Sequence, residues 1–390
     1  MSTLPFDDLL RQAAALAGDP FFRQALVRCM DGSDARIEQA DRLTVGIHPD
    51  DQMFLHSLHA HQDSGAALSQ YFNIGVQQYR SVRQAVETLF GERADTVTIL
   101  DFACGFGRLL RFLTLDWPKA SITGSEIQPE ALDFVSAALG VHTLPSTAHP
   151  DNFEVAQCFD VIWVASLFSH LPDELFGPWL ARLLSLLNPG GVLCFSVRGE
   201  SQFAGGRIAE AEGILYQQDS ELSPLDKRLY GTAYVTDGYV RARLAEAAGA
   251  ATRHVRLPRA LANEQDLYVV SADGRRDPAV LAGSFLRGPW GWVDVRRREA
   301  DGSVYLEGWA ASLDEEVRLD CVEVTLAGTA HEVPINIPRP DVAEAFQAPH
   351  MLCSGWRLRV PSGTGGVPLR IQVMAHTPRG AALLYYGLLS

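Results

Sequence analysis

The spacing of apolar residues along this chain changes character twice. Over residues 1–95 they recur at helical intervals: Leu9, Leu10, Ala13 and Leu16 share one helix face, as do Val76, Tyr79, Val82, Val86 and Leu89. The stretch 46–51 interrupts this pattern and separates an N-terminal pair of helices from the next. From Thr96 onward, short apolar runs alternate with helical segments. Strands are predicted at 97–102, 120–125, 141–144, 159–165, 192–197 and 267–271, with helices at 129–139, 178–187 and 236–248. The helix at 129–139 opens on Pro129, where a missing N–H costs nothing. The segment 188–191 reads as a turn that stops the helix before it. Such alternation predicts an α/β fold, a doubly wound and mostly parallel seven-stranded sheet with helices on both faces. Beyond residue 285 the helical period disappears, and β-rich runs at 291–295, 304–309, 321–326, 356–360 and 369–375 predict an all-β, sandwich-like module. The expected organisation is an N-terminal helical region (1–95), an α/β domain (96–272), a polar linker (273–284) and a β-domain (285–390).

Length supports more than one core, because 390 residues exceed the size at which a single core keeps growing. Net charge is −14 and the basic residues are scattered, with 296–298 the densest run, so nucleic acid is not an expected partner. The six cysteines form no Cys-x-x-Cys or Cys/His cluster, so no metal site is expected, and Cys321 and Cys353 are free to pair or not. No apolar stretch is long enough to span a bilayer, and the first residues have no basic start followed by an apolar core. The expectation is a cytoplasmic protein.

The chemistry concentrates where the first predicted strand ends, at Asp101, Phe102, Ala103, Cys104, Gly105, Phe106, Gly107 and Arg108. A glycine turn there lets backbone approach a ligand closely. A dinucleotide turn would want a third glycine at position 110, which is Leu110. The segment instead resembles motif I of class I methyltransferases, which use S-adenosylmethionine on a Rossmann-like sheet. The family usually has a glycine where Ala103 stands. By the same resemblance, Glu126 at the end of the second strand holds the ribose hydroxyls, with Ile127 beside it. Ser146 and Thr147 occupy the loop where relatives often carry an acidic residue for adenine. Residues 159–172, including Ser166, resemble the fourth strand and its loop, and 187–195 the turn before strand five.

What the resemblance implies is methyl transfer, leaving S-adenosylhomocysteine, onto a small-molecule or saccharide acceptor, with oxygen as the expected acceptor atom. A hydroxyl acceptor benefits from a base whose pKa lies near the working pH. His170 is the candidate base, just past strand four. Arg108 could meet an anionic acceptor or the donor's carboxylate, and Tyr71 resembles a residue that closes over the donor's methionine end. Segments 231–234 and 263–266 could form acceptor walls, and the stretch after Arg198, with Tyr216, Tyr230 and Tyr234, a lid. The N-terminal helices read either as a lid or as the surface of a homodimer. Trp290, the Gly-Trp pairs at 291–292, 308–309 and 355–356, and residues 339–342, resemble an accessory β-domain found beside bacterial glycosyltransferases and methyltransferases. Two other readings stay open: a donor-binding module without catalysis, and a glycan-binding or assembly protein.

Overall fold

The computed structural model describes residues 5–203, 208, 213–218, 226–249, 251–361, 368–378 and 380–389. The chain divides into two compact units, Met1–Gln77 with Leu286–Ser390, and Gln78–Phe285. The first unit therefore joins chain segments that are far apart in sequence.

Its N-terminal helices are α1 (Phe6–Ala17), α2 (Pro20–Asp31), α3 (Gln52–His61) and the first half of α4 (Ser64–Phe90). Local chemistry sets their ends. The Asp19 carboxylate accepts the Phe21 N–H at 3.0 Å, Pro20 opens α2, and Gly32 closes it in the left-handed region at φ 79°. Asp51 caps α3 by accepting the N–H groups of Met53 and Phe54.

The second unit carries β1 (Ile99–Phe102), α5 (Leu110–Asp116), β2 (Ile122–Glu126), α6 (Pro129–Leu139), β3 (His142–Pro145), β4 (Phe159–Val164), α7 (Asp173–Ser185), β5 (Leu187–Gly199), β6 (Ile214–Gln217), β7 (Thr232–Val235), α8 (Asp237–Ala248), β8 (Arg253–Leu261) and β9 (Gln265–Ser271). β1 to β5 are parallel in the order β3-β2-β1-β4-β5. β9 runs antiparallel between β5 and β8, completing the expected seven strands, and the β6–β7 hairpin adds two at the far end of β5, nine in all among the described residues. Strand order reverses between β1 and β4, which opens a crevice above the carboxyl ends of these strands.

One sheet face is sealed by Leu100, Phe102, Ile162, Val164, Leu193 and Phe195 packed against Phe176, Trp179, Leu180 and Leu183 of α7 and Val240 of α8. Burying each such side chain contributes about 2 kcal/mol. α7 starts five residues before the sequence expectation: Asp173 and Glu174 fill its first turn, favourable at the positive end of the helix dipole, and Pro178 lies inside it. The segment 188–191, expected as a turn, belongs instead to the start of β5, with Gly190 at φ 77°.

The C-terminal part of the first unit holds β10 (Pro289–Arg298), β11 (Val304–Ser312), β12 (Cys321–Leu326), β13 (Thr329–Pro334), α9 (Pro340–Phe346), β14 (Gly355–Val360), β15 (Leu369–Thr377) and β16 (Gly380–Leu389). They form two antiparallel sheets, β10-β11-β14 and β13-β12-β15-β16. Val293, Leu306, Val324, Val373, Leu384 and Trp356 share one core between them. Phe22 of α2 meets Tyr386 of β16 at 5.2 Å, and Gly65 of α4 leaves no room for a side chain, since a Cβ there would lie 2.5 Å from the Tyr386 carbonyl oxygen.

Trp356 is fully buried, whereas Trp290, Trp292 and Trp309 are half-buried. Its indole lies over Gly308, where a Cβ would come 2.8 Å from Trp356 Cζ2 and 2.1 Å from the Trp292 carbonyl oxygen. Gly308→Ala is therefore expected to destabilise the first unit by about 1–3 kcal/mol through overpacking. A urea titration followed by tryptophan fluorescence checks this, and an unchanged midpoint would contradict the packing.

Candidate functional site

The carboxyl ends of β1 and β2 place Asp101 and Glu126 at the crevice. Between β1 and α5 the chain makes a tight turn with three left-handed residues, Ala103 (φ 59°), Gly105 (φ 53°) and Gly107 (φ 74°). The two glycines serve different ends. A Cβ on Gly107 would strike Leu139 Cδ1 at 2.7 Å, so this position lets the turn pack on α6, whereas a Cβ on Gly105 would meet nothing within 4 Å. The open side of Gly105 is thus space over the turn. Ala103 adopts the same left-handed geometry with a side chain, at a cost of about 1–3 kcal/mol.

Hydrogen bonds fix the turn from below and from the side. Cys104 N–H donates to the Ser125 carbonyl at 3.0 Å, and Gly107 N–H to the Cys104 carbonyl at 3.1 Å. The fully buried Arg111 donates from Nε to the Gly107 carbonyl and from Nη2 to the Phe106 carbonyl, each at 3.3 Å. Glu126 faces the turn. Its Oε2 accepts Gly105 N–H at 2.9 Å, and its Oε1 accepts Ile127 N–H at 2.7 Å and Gln128 N–H at 3.3 Å. Burial raises the Glu126 pKa, and these three N–H groups pull it back. Burial, and next the Glu126 carboxylate, push the Asp101 carboxyl up to about 8, with Arg108 pulling the other way. A buried carboxyl whose pKa is raised this far, at the mouth of a crevice, marks a candidate functional site.

Residues 99–191 match a methyltransferase domain. The chain is also similar to trans-aconitate 2-methyltransferase of Escherichia coli, 35% identical over 114 residues, which are 28% of this chain and 43% of that relative. The match thus spans less than half the length of the curated relatives. Among solved structures it is similar to Streptomyces venezuelae DesVI (15% identity, 60% of this chain, 99% of that chain, TM-score 0.41). Another is the sugar N-methyltransferase KedS8 from a Streptoalloteichus species (19% identity, 50% of this chain, 87% of that chain, TM-score 0.37).

The other expected site residues and their neighbours differ in their local partners. Phe106 packs its ring on Phe134 of α6 at 6.0 Å. The Cys104 thiol is buried and its pKa is raised well above the ordinary thiol value. Ser146 N–H donates to the Glu126 carbonyl at 2.8 Å, while the Thr147 hydroxyl donates to the His149 carbonyl at 2.7 Å. After β4, Ser166 turns at φ 60° and its N–H donates to Ser196 Oγ at 2.8 Å. Gln265 closes a ring with both: its Nε2 donates to Ser166 Oγ at 3.1 Å and its Oε1 accepts from Ser196 Oγ at 2.7 Å. Ser196 carries a signal in the sequence, a hydroxyl inside the otherwise apolar run 192–197.

His170 sits past β4, but two findings alter its expected chemistry. Its Nδ1 lies 2.6 Å from the Gly231 carbonyl oxygen and so carries the proton, and its ring stacks on Tyr230 at 4.6 Å with 12° between planes. Burial, then Arg198, lower its pKa to about 4, which removes the match to a working pH near neutrality. Tyr71 lies in the first unit, fully buried, where its hydroxyl donates to Asp51 Oδ2 at 2.6 Å. Its ring packs on Phe54 and Phe72.

Asp101 makes a pH prediction. Its carboxyl has an ordinary pKa of 3.8 when unfolded and about 8 when folded, so between these values the folded state holds the extra proton. Stability from this group is present below pH 4 and is lost as pH rises through 8. Asp101→Asn should flatten the fall of Tm between pH 5 and 8. Parallel melting curves for wild type and variant across that window would contradict the assignment.

Proposed function

We propose that the protein is an S-adenosylmethionine-dependent methyltransferase whose donor site is the 101–107 turn with Glu126, acting on a small-molecule acceptor. The observation that carries this reading is the Glu126 carboxylate held against the Gly105 N–H at the end of the neighbouring strand, beside the proton-bearing Asp101. The residues fit the donor's chemistry. A ribose diol needs a carboxylate acceptor, and Glu126 keeps lone pairs beyond its three backbone bonds. A sulfonium and an ammonium need negative charge, which Asp101 provides once a cation lowers its pKa. The open side of Gly105 gives room for close approach.

When bound, S-adenosylmethionine supplies a methyl group already activated on sulfur. The work left to this chain is binding, orientation and exclusion of water. Glu126 and Ile127 hold the ribose, and Asp101, Cys104, Phe106 and Arg108 surround the methionine end. Ser146 and Thr147 border the adenine, and the Ser166 loop, braced by Gln265 and Ser196, faces the acceptor. Tyr71, engaged by Asp51, has no part in this reading. His170 keeps the Gly231 strand and the Tyr230 ring in place, as a positioning residue in place of a base.

A small-molecule acceptor is favoured by the trans-aconitate relative. Oxygen is taken as the acceptor atom, and a saccharide is one form the acceptor can take. The Gly-Trp pairs of β10, β11 and β14 support reading residues 285–390 as an accessory domain of the kind found beside glycosyltransferases.

Calorimetry with S-adenosylmethionine and S-adenosylhomocysteine tests the donor site. The expected dissociation constants are roughly 1–100 μM, the range of ordinary enzyme substrates. Glu126→Gln should weaken binding by about tenfold or more, because a hydrogen bond to a charged group is worth about 1.5–3 kcal/mol. No binding to the wild type would remove this reading and leave the β-rich segment as the seat of function.

A further inference from the structure

The loop after β4 is zipped to the β6–β7 hairpin. Ala233 N–H donates to the Ser169 carbonyl at 2.8 Å, Gly231 N–H donates to the His170 carbonyl at 2.9 Å, and the His170 ring returns its Nδ1 proton to the Gly231 carbonyl. Gly231 has no space for a side chain, since a Cβ would lie 2.2 Å from the Gln217 carbonyl oxygen. The Tyr230 ring is thereby locked face to face on His170.

Two charges act on that phenol electrostatically, Glu126 at the donor turn and Arg198 at the carboxyl end of β5. Arg198 is half-buried and donates from Nη1 to the Ser169 carbonyl at 3.1 Å, its one hydrogen-bond partner among the described residues. No carboxylate among them pairs with it. Three other arginines of this unit pair with carboxylates: Arg256 with Asp266 at 2.6 Å, Arg241 with Asp237 at 2.7 Å and Arg243 with Glu246 at 2.9 Å. Asp266 packs against Gly199, the neighbour of Arg198, and is already held by Arg256 and by the Arg259 N–H. The Tyr230 hydroxyl likewise makes no hydrogen bond among the described residues, and burial keeps it a phenol, its pKa pushed up to about 12.

We propose that Arg198 and the Tyr230 hydroxyl anchor a carboxylate of the acceptor beside the stacked Tyr230–His170 pair. One guanidinium with one phenol donor matches the single charge and the two oxygens of a carboxylate. A phosphate dianion would leave a charge uncompensated in a half-buried site, because His170 stays neutral. Against a net charge of −14, a local cation with no carboxylate partner among the described residues is where an anion is drawn. The anchor rests on the donor reading above for the identity of the neighbouring site.

The test is ligand-observed NMR and calorimetry on the full chain saturated with S-adenosylhomocysteine. The probes are acetate, benzoate, succinate and citrate, the amides acetamide, benzamide and succinamide, and inorganic phosphate. At least one carboxylate should bind while its amide does not. Arg198→Gln should weaken that binding roughly ten- to a hundredfold, Arg198→Lys should recover most of it, and Tyr230→Phe should weaken it by a few fold. S-adenosylhomocysteine should bind wild type and Arg198→Gln within about twofold of each other, which keeps loss of the anchor distinct from loss of the donor site or of the fold. The anchor is overturned if no carboxylate binds, if binding survives Arg198→Gln unchanged, or if phosphate binds better than every carboxylate with the same Arg198 dependence. Failure of S-adenosylhomocysteine to bind the wild type defeats the donor reading and takes the anchor with it.

Discussion

Asp101 and Glu126 end neighbouring parallel strands, both nearly removed from water, one bound by three backbone N–H groups and the other still carrying its proton near neutrality. Two carboxyl groups this close cannot both ionise cheaply in a low-dielectric site. The glycine turn, the buried Arg111 beneath it and the close approach of α6 at Gly107 all hold Glu126 in place, so the strain falls on Asp101. The arrangement carries a cost that Arg108 only partly relieves and that a further cation would offset. That trade is expected of a binding site and not of a packing core.

The other half of the crevice follows a different rule. Hydrogen bonds join the β4 loop, β5, the β6–β7 hairpin and β9 through Ser169, Arg198, Gly231, Ser196 and Gln265. Arg198, Ser196 and Gln265 are polar side chains in largely apolar strands, and Ser169 and Gly231 contribute backbone groups from the adjoining loops. Arg198 donates to a neutral carbonyl and has no carboxylate partner among the described residues. His170 occupies the loop expected of a base, its Nδ1 proton and ring face hold the hairpin, and burial lowers its pKa to about 4.

Much of the α/β unit was legible in the sequence because strands buried on both faces read as predominantly apolar runs, as at 97–102 and 159–165. The turn at 103–107 was legible because left-handed backbone selects glycine. β6 to β8 were not anticipated. β8 sits at the sheet margin with Arg253, Arg256 and Arg259 along it, and such a strand carries no continuous apolar signal. The joining of the N-terminal helices with the C-terminal sheets was equally hidden, because contacts such as Gly65 with Tyr386 leave no local period. The Arg198–Tyr230 pairing is of the same kind, two residues brought together only by a hairpin folding back on a strand end.

The most direct measurement is the number of protons released when S-adenosylmethionine binds at pH 7, from calorimetry in two buffers of different ionisation enthalpy. Because Asp101 titrates at about 8 in the free protein, a cation placed beside it must discharge a large part of one proton. The wild type should release that proton and Asp101→Asn should release essentially none. Binding without proton release, equal in both proteins, would contradict the claim that this buried carboxyl pair is built to receive a cationic methyl donor.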